Sequence, residues 1–317
     1  MLAAWDSIKG IILNGLLIAV IAHGLIGVSL VWDKVLLQRR ETQNLLSYVF
    51  WLGAISVFGL ILIPFGFHLP QWQYGGLGFA AGVLDLVASY FYYAALKAGE
   101  ASEELAAMGG FTPVATALIA IPLLKKPIGG DLIGFILMVM GGFIMFFAEK
   151  RPVRKMLPRV VAASACFAMA TVLEKIVFQH EKFVTGFVFV TLGEFIGSVA
   201  LLVPPSWRQQ ILEHSEQATP RSKFWYMVNR FMAGVGSFLV VFAVSRTSPA
   251  LVTAISGVRY AVIFVGAYLI TRIKPEWFRE DFRKWVLIAK ATATGLVVAG
   301  LIFVGVEGGK AAAGGPH

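Results

Sequence analysis

A chain of 317 residues that is 58% apolar and only 14% charged is not a soluble globular domain, and its mean hydropathy of +0.77 points the same way. The net charge of +9 does not signal nucleic acid, because the basic residues sit in short connectors between apolar runs, where they anchor a membrane protein to the cytoplasmic leaflet. The single cysteine, Cys166, excludes an internal disulfide and reads as a small packing residue inside an apolar segment.

In chain order, apolar runs predict ten transmembrane helices at about 11–34, 44–66, 75–97, 101–124, 130–149, 156–179, 184–204, 224–246, 249–271 and 284–306. Each is about 20 residues long, the length that crosses hydrocarbon as a helix. The runs are continuous rather than alternating, which excludes a β-barrel. The first run is too long for a signal-peptide core and reads as a retained span. The polar break Glu149-Lys150-Arg151-Pro152-Val153-Arg154-Lys155 divides the chain into a first five-helix half, 1–150, and a second, 151–308. The connector 205–223 is polar and too short to bury a core of its own, and the Gly/Ala-rich tail 309–317 reads as disordered.

The halves echo each other. Val31-Trp32-Asp33-Lys34-Val35 returns as Val172-Leu173-Glu174-Lys175-Ile176, and Tyr93-Ala94-Ala95-Leu96 as Val241-Phe242-Ala243-Val244. Five spans per half is an odd number, so successive halves enter the bilayer from opposite sides. The expected architecture is therefore an all-α polytopic membrane protein built as two inverted five-helix repeats.

Ionisable residues at mid-membrane need a partner or a wet cavity, and they mark functional sites by default. Arg259 stands first: it cannot lose its proton and is too deep to reach water by snorkelling. With Tyr260 beside it, it reads either as an anion or carboxylate site or as half of a structural ion pair with Asp85 or Glu194. Asp85, Tyr93, Glu194 and Arg230 read as substrate contacts, the two acids also as proton carriers, or else the acids read as partners of Arg230 and Arg259. His23, central in the first span, reads as a substrate contact or as a packed, hydrogen-bonded histidine. Asp33-Lys34 and Glu174-Lys175 repeat, so they call for a shared role as gating or coupling pairs or as interfacial anchors. Adjacent helical residues do not face each other, so each should pair with another helix. No histidine or cysteine cluster has metal spacing, and no nucleophile elbow, phosphate loop or dinucleotide fingerprint is present. Neither a metal nor a cofactor nor an enzymatic activity is expected.

Each half ends in a Lys-Pro break (Lys126-Pro127, Lys274-Pro275) and a glycine-bearing last helix (Gly134, Gly141 and Gly142; Gly295 and Gly300). Together with Ala106-Ala107-Met108-Gly109-Gly110-Phe111-Thr112-Pro113-Val114-Ala115 in the fourth span, this pattern resembles the EamA-like members of the drug/metabolite transporter superfamily over nearly the whole chain. The resemblance implies a multi-pass protein of a bacterial inner membrane that moves a small organic metabolite, most often outward, by alternating access around a midplane cavity. The arginines favour an anionic or zwitterionic substrate, and the buried acids a proton couple. One chain would hold both halves, so a monomer suffices and a homodimer is compatible. The alternative is an integral-membrane lipid- or head-group-handling protein, with its charges gathered at one membrane face. The resemblance implies cytoplasmic termini, whereas the richer basic side (Arg39-Arg40, 150–155, 208–223, 272–284) puts the termini outside.

Overall fold

A computed structural model describes residues 2–37, 44–98, 101–125, 132–148, 157–217, 219–259, 284–313 and a few positions between 262 and 269. Every described element is helical. They are α1 (Leu2–Leu37), α2 (Leu45–Ile55), a 3₁₀ helix (Ser56–Phe65) that continues it, α3 (Trp72–Ala98), α4 (Ala101–Leu124), α5 (Leu132–Ala148) and α6 (Leu157–His180). They continue with α7 (Phe183–Ala200), α8 (Pro205–Gln217), α9 (Pro220–Arg246), α10 (Pro249–Ile255) and α11 (Lys284–Ala313).

Six of the described segments are long and apolar enough to cross a bilayer: Gly15–Leu36, Leu45–Phe65, Trp72–Lys97, Leu157–His180, Phe183–Ala200 and Pro220–Arg246. Gly110–Leu124, Leu132–Ile144 and Ala291–Gly300 are shorter apolar helices. Large apolar side chains such as Phe58, Ile61, Phe65, Phe147 and Phe231 face outward, as the lipid-facing wall of a bundle requires. The connector expected at 205–223 is largely helical, with Trp207 and Leu212 exposed and Ile211 fully buried. α11 runs on to Ala313, into the segment expected as a loose tail. The connectors 149–155 and 272–283 and most of the ninth predicted span lie outside the described residues.

Packing crosses the sequence midpoint. α1 lies against α9, α3 against α6 and α7, and α5 against α11. At the α3–α7 crossing the two backbones touch. A methyl group on Gly82 would overlap the Val190 carbonyl, and one on Gly193 would overlap the Phe79 carbonyl. Small residues at such a crossing let helices approach where no hydrophobic effect drives them together. This approach carries Asp85, one turn after Gly82, and Glu194, next to Gly193, into the interior between helices.

The second span changes winding at Ser56, from α to a ten-residue 3₁₀ run with Pro64 near its end. A 3₁₀ stretch of that length is uncommon.

Candidate functional site

Among the described residues, three clusters built on acids, arginines or histidine lie inside the bundle. The first gathers where α1 and α3 end and where α2 and α9 begin. Asp33 is fully buried and accepts hydrogen bonds from the Tyr48 hydroxyl, the Tyr93 hydroxyl (3.1 Å) and the Asn229 amide. It also forms an ion pair with the Arg230 guanidinium. Arg230 donates a second bond to the Tyr93 hydroxyl at 2.9 Å, and its guanidinium carbon lies 5.3, 5.7 and 5.4 Å from the ring centres of Tyr48, Tyr93 and Tyr226. Tyr226 donates to the Tyr48 carbonyl at 2.9 Å. The arrangement is a charged pair boxed by three aromatic faces, in which each ring face adds cation–π attraction.

The second group joins Asp85 of α3, Glu174 of α6 and Glu194 of α7. The carboxyls of Asp85 and Glu174 share a hydrogen bond, and Glu194 is near enough to repel a charge on either. The Ser56 hydroxyl, at the α-to-3₁₀ junction, donates to Glu194. Two carboxyls can share a hydrogen bond only if one of them holds a proton, so this group differs chemically from the first.

The third group is His23 on α1. Its Nδ1 accepts from Arg259 Nε at 3.0 Å, and its Nε2 donates to the Val252 carbonyl at 2.8 Å. A guanidinium N–H can only donate, so this pair of contacts fixes a neutral ring with its proton on Nε2. α10 ends at Ile255 in a turn through Ser256 and Gly257, just before Arg259. Helix breaks at membrane depth are tolerated where other groups satisfy the freed backbone, as His23 does for Val252.

Arg259 meets His23, a partner the sequence reading did not weigh. Arg230 meets Asp33, while Asp85 meets Glu174 and Glu194 meets Ser56. Asp85, Glu194 and Arg259 are half-buried, and each contacts another helix, at Glu174, Ser56 and His23 respectively. Lys34 Nζ donates to the Leu96 carbonyl at 2.7 Å, and Lys175 Nζ to the Val244 and Ser245 carbonyls at 2.9 and 3.2 Å. Each lysine therefore closes the C-terminal end of a helix in its own half, where a cation suits the dipole. Tyr260 lies outside the described residues. Sequence reasoning missed Tyr48, Ser56, Tyr226 and Asn229, neutral polar residues that only a knowledge of helix pairing could single out. It also missed the His68–Glu181 contact at 2.8 Å, which joins connectors at the end of the bundle opposite Asp33.

Residues 13–148 match the sequence profile of the EamA-like transporter family, part of the drug/metabolite transporter superfamily. That stretch, under half of the chain, is similar to EamA-like transporter sequence. Members of the EamA-like family are membrane transporters rather than enzymes. The matched stretch carries His23, Asp33, Lys34, Tyr48, Asp85 and Tyr93, so it supplies one side of each of the three polar groups. No curated protein matches the chain. Among solved structures, it is similar to one described only as "Crystal structure of protein", with a TM-score of 0.61 and 14% identity over 92% of this chain and 95% of that one. That likeness extends the shared fold across both halves.

Proposed function

We propose that this chain is a secondary active transporter that carries a small organic metabolite by alternating access, with the two halves rocking against each other around the buried polar groups. One observation carries the reading: the ionisable contacts inside the bundle run between the halves, whereas the lysine contacts run within them. Asp33–Arg230, Asp85–Glu174, Ser56–Glu194 and His23–Arg259 each join a residue before 150 to one after 157. Lys34–Leu96 and Lys175–Val244 each stay inside one half. Staples within a half favour motion as a rigid body, and polar contacts between halves can break and re-form at moderate cost. The packing of α1 on α9 and of α3 on α6 is the exchange that inverted repeats would make, since the matching helices of the two copies trade places.

In this reading, Asp33 and Arg230 close the face rich in lysine and arginine, which the charge bias places in the cytoplasm. Asp85, Glu174 and Glu194 carry the coupling proton, and His23 with Arg259 and Tyr93 line the path of a substrate with anionic character. Low pH on the opposite side would load the carboxyls and drive exchange for an exported solute. The mid-depth position of the carboxyls disfavours a head-group-handling protein. The test is flux in proteoliposomes under an imposed proton gradient. The carrier reading expects gradient-driven accumulation of at least one metabolite, lost in Glu174→Gln; flux that ignores the gradient and survives Glu174→Gln would refute the coupling role.

A further inference from the structure

We propose that the Asp33–Arg230 pair holds the place of a zwitterionic substrate, a small solute that carries both an ammonium and a carboxylate. The inference rests on the carrier reading and adds to it a substrate class and the groups that select it.

The two charges belong to different halves and have different company. Asp33 is held by the Tyr48 and Tyr93 hydroxyls, and both tyrosines sit in the first half with it. If α9 withdraws, the carboxylate keeps these donors and stays flanked by the two rings that now face the guanidinium at 5.3 and 5.7 Å. A carboxylate between aromatic faces is a receptor for an ammonium.

Arg230 leaves with Asn229 and Tyr226 on α9. It reaches Asp33 through one terminal nitrogen and Tyr93 through the other, while its Nε, though buried, has no hydrogen-bond partner. The Nε–H and one terminal N–H form the edge that grips a carboxylate bidentately, so Arg230 holds Asp33 with only part of its fork. Beside it, the Asn229 side-chain oxygen is also buried and unsatisfied. One spare donor on the cation and one spare acceptor next to it are what a carboxylate and an ammonium would take up.

Charge balance then selects the ligand. Parting a buried ion pair leaves two uncompensated charges, each costly by several kcal/mol. An anion would compensate only Arg230, and a cation only Asp33. A zwitterion compensates both, so it alone allows this face to open without leaving a bare charge.

The test uses the full chain in nanodiscs. Unfolding temperature is read against the common L-α-amino acids and γ-aminobutyrate, and for each stabilising one against its amide, a cation, and its N-acetyl form, an anion. We expect at least one zwitterion to stabilise the protein, its two mono-charged forms to bind about 30-fold more weakly or worse, and the shift to vanish in the double variant Asp33→Asn/Arg230→Met. That variant leaves neither charge alone and so keeps its fold. Tyr93→Phe, which removes one donor to Asp33 and one acceptor of Arg230, should weaken the same zwitterion. An equal shift from the amide or the N-acetyl form, a zwitterion shift that survives the double variant, or no shift from any zwitterion overturns the proposal. Flux separates the two layers. Transport of a solute of another charge class removes the zwitterion and leaves the carrier, whereas zwitterion binding with no flux of any kind removes the carrier and the substrate role together.

Discussion

Asp33 and Glu174 occupy matching places in the two sequence copies, each one residue before a lysine, yet they meet opposite chemistry. Asp33 reaches across to a guanidinium, and Glu174 reaches across to another carboxyl. The lysines that follow them behave alike, each closing the end of the third helix of its own half at Leu96 or Val244, residues that also match between the copies. Within this sequence echo the lysine contact is alike in the two places and the acid's contact differs. One contact is between permanent charges, and the other needs a proton.

The largest effect should come from breaking the permanent pair on one side only. Arg230→Ala leaves Asp33 buried and alone, and we expect a loss of about 3–5 kcal/mol, read as a large fall in unfolding temperature in detergent. Asp33→Asn/Arg230→Met should lose much less; an equal loss in both would show that packing, not charge, governs this face. Next in size is the α3–α7 crossing. Gly82→Val drives a branched side chain into the Val190 carbonyl and should cost about 1–3 kcal/mol in the same melt, with loss of flux because Asp85 and Glu194 are moved apart.

The lysines come third. Lys34→Met should cost about 1.5–3 kcal/mol, the range for a hydrogen bond to a charged group. Lys175→Met should cost less, because Lys175 is only partly buried. A reversed order would deny that the two lysines do the same work. The smallest effect on stability is expected at the carboxyl pair. Asp85→Asn and Glu174→Gln retain a hydrogen-bonding group without the titratable proton, so the melt should stay nearly fixed while the pH dependence of flux flattens.

The sequence made some of this legible and hid the rest for a physical reason. Isolated charges in apolar runs announce themselves, so Asp85, Glu194, Arg230 and Arg259 stand out without a structure. Their partners do not, because a partner is set by which helix faces which, and Asp33 lies 197 residues from Arg230. A continuous apolar run shows no preferred face, since lipid and a neighbouring helix demand the same side chains. Hence Arg259 and Asp85 looked like natural partners on charge alone, and Tyr48 and Asn229 looked like ordinary residues near span ends. The repeated acid–lysine pairs did point to contacts with other helices, but not that the acid would cross between halves while the lysine stayed within one.

The central claim is that the two halves part and close at the face held by Asp33 and Arg230. Spin labels at positions 45 and 221, at the starts of α2 and α9, in a Cys166→Ser background, measure that directly by double electron–electron resonance in nanodiscs. The account predicts two distance populations, with the longer one growing in Asp33→Asn. A single narrow distance, unchanged by Asp33→Asn, would contradict it.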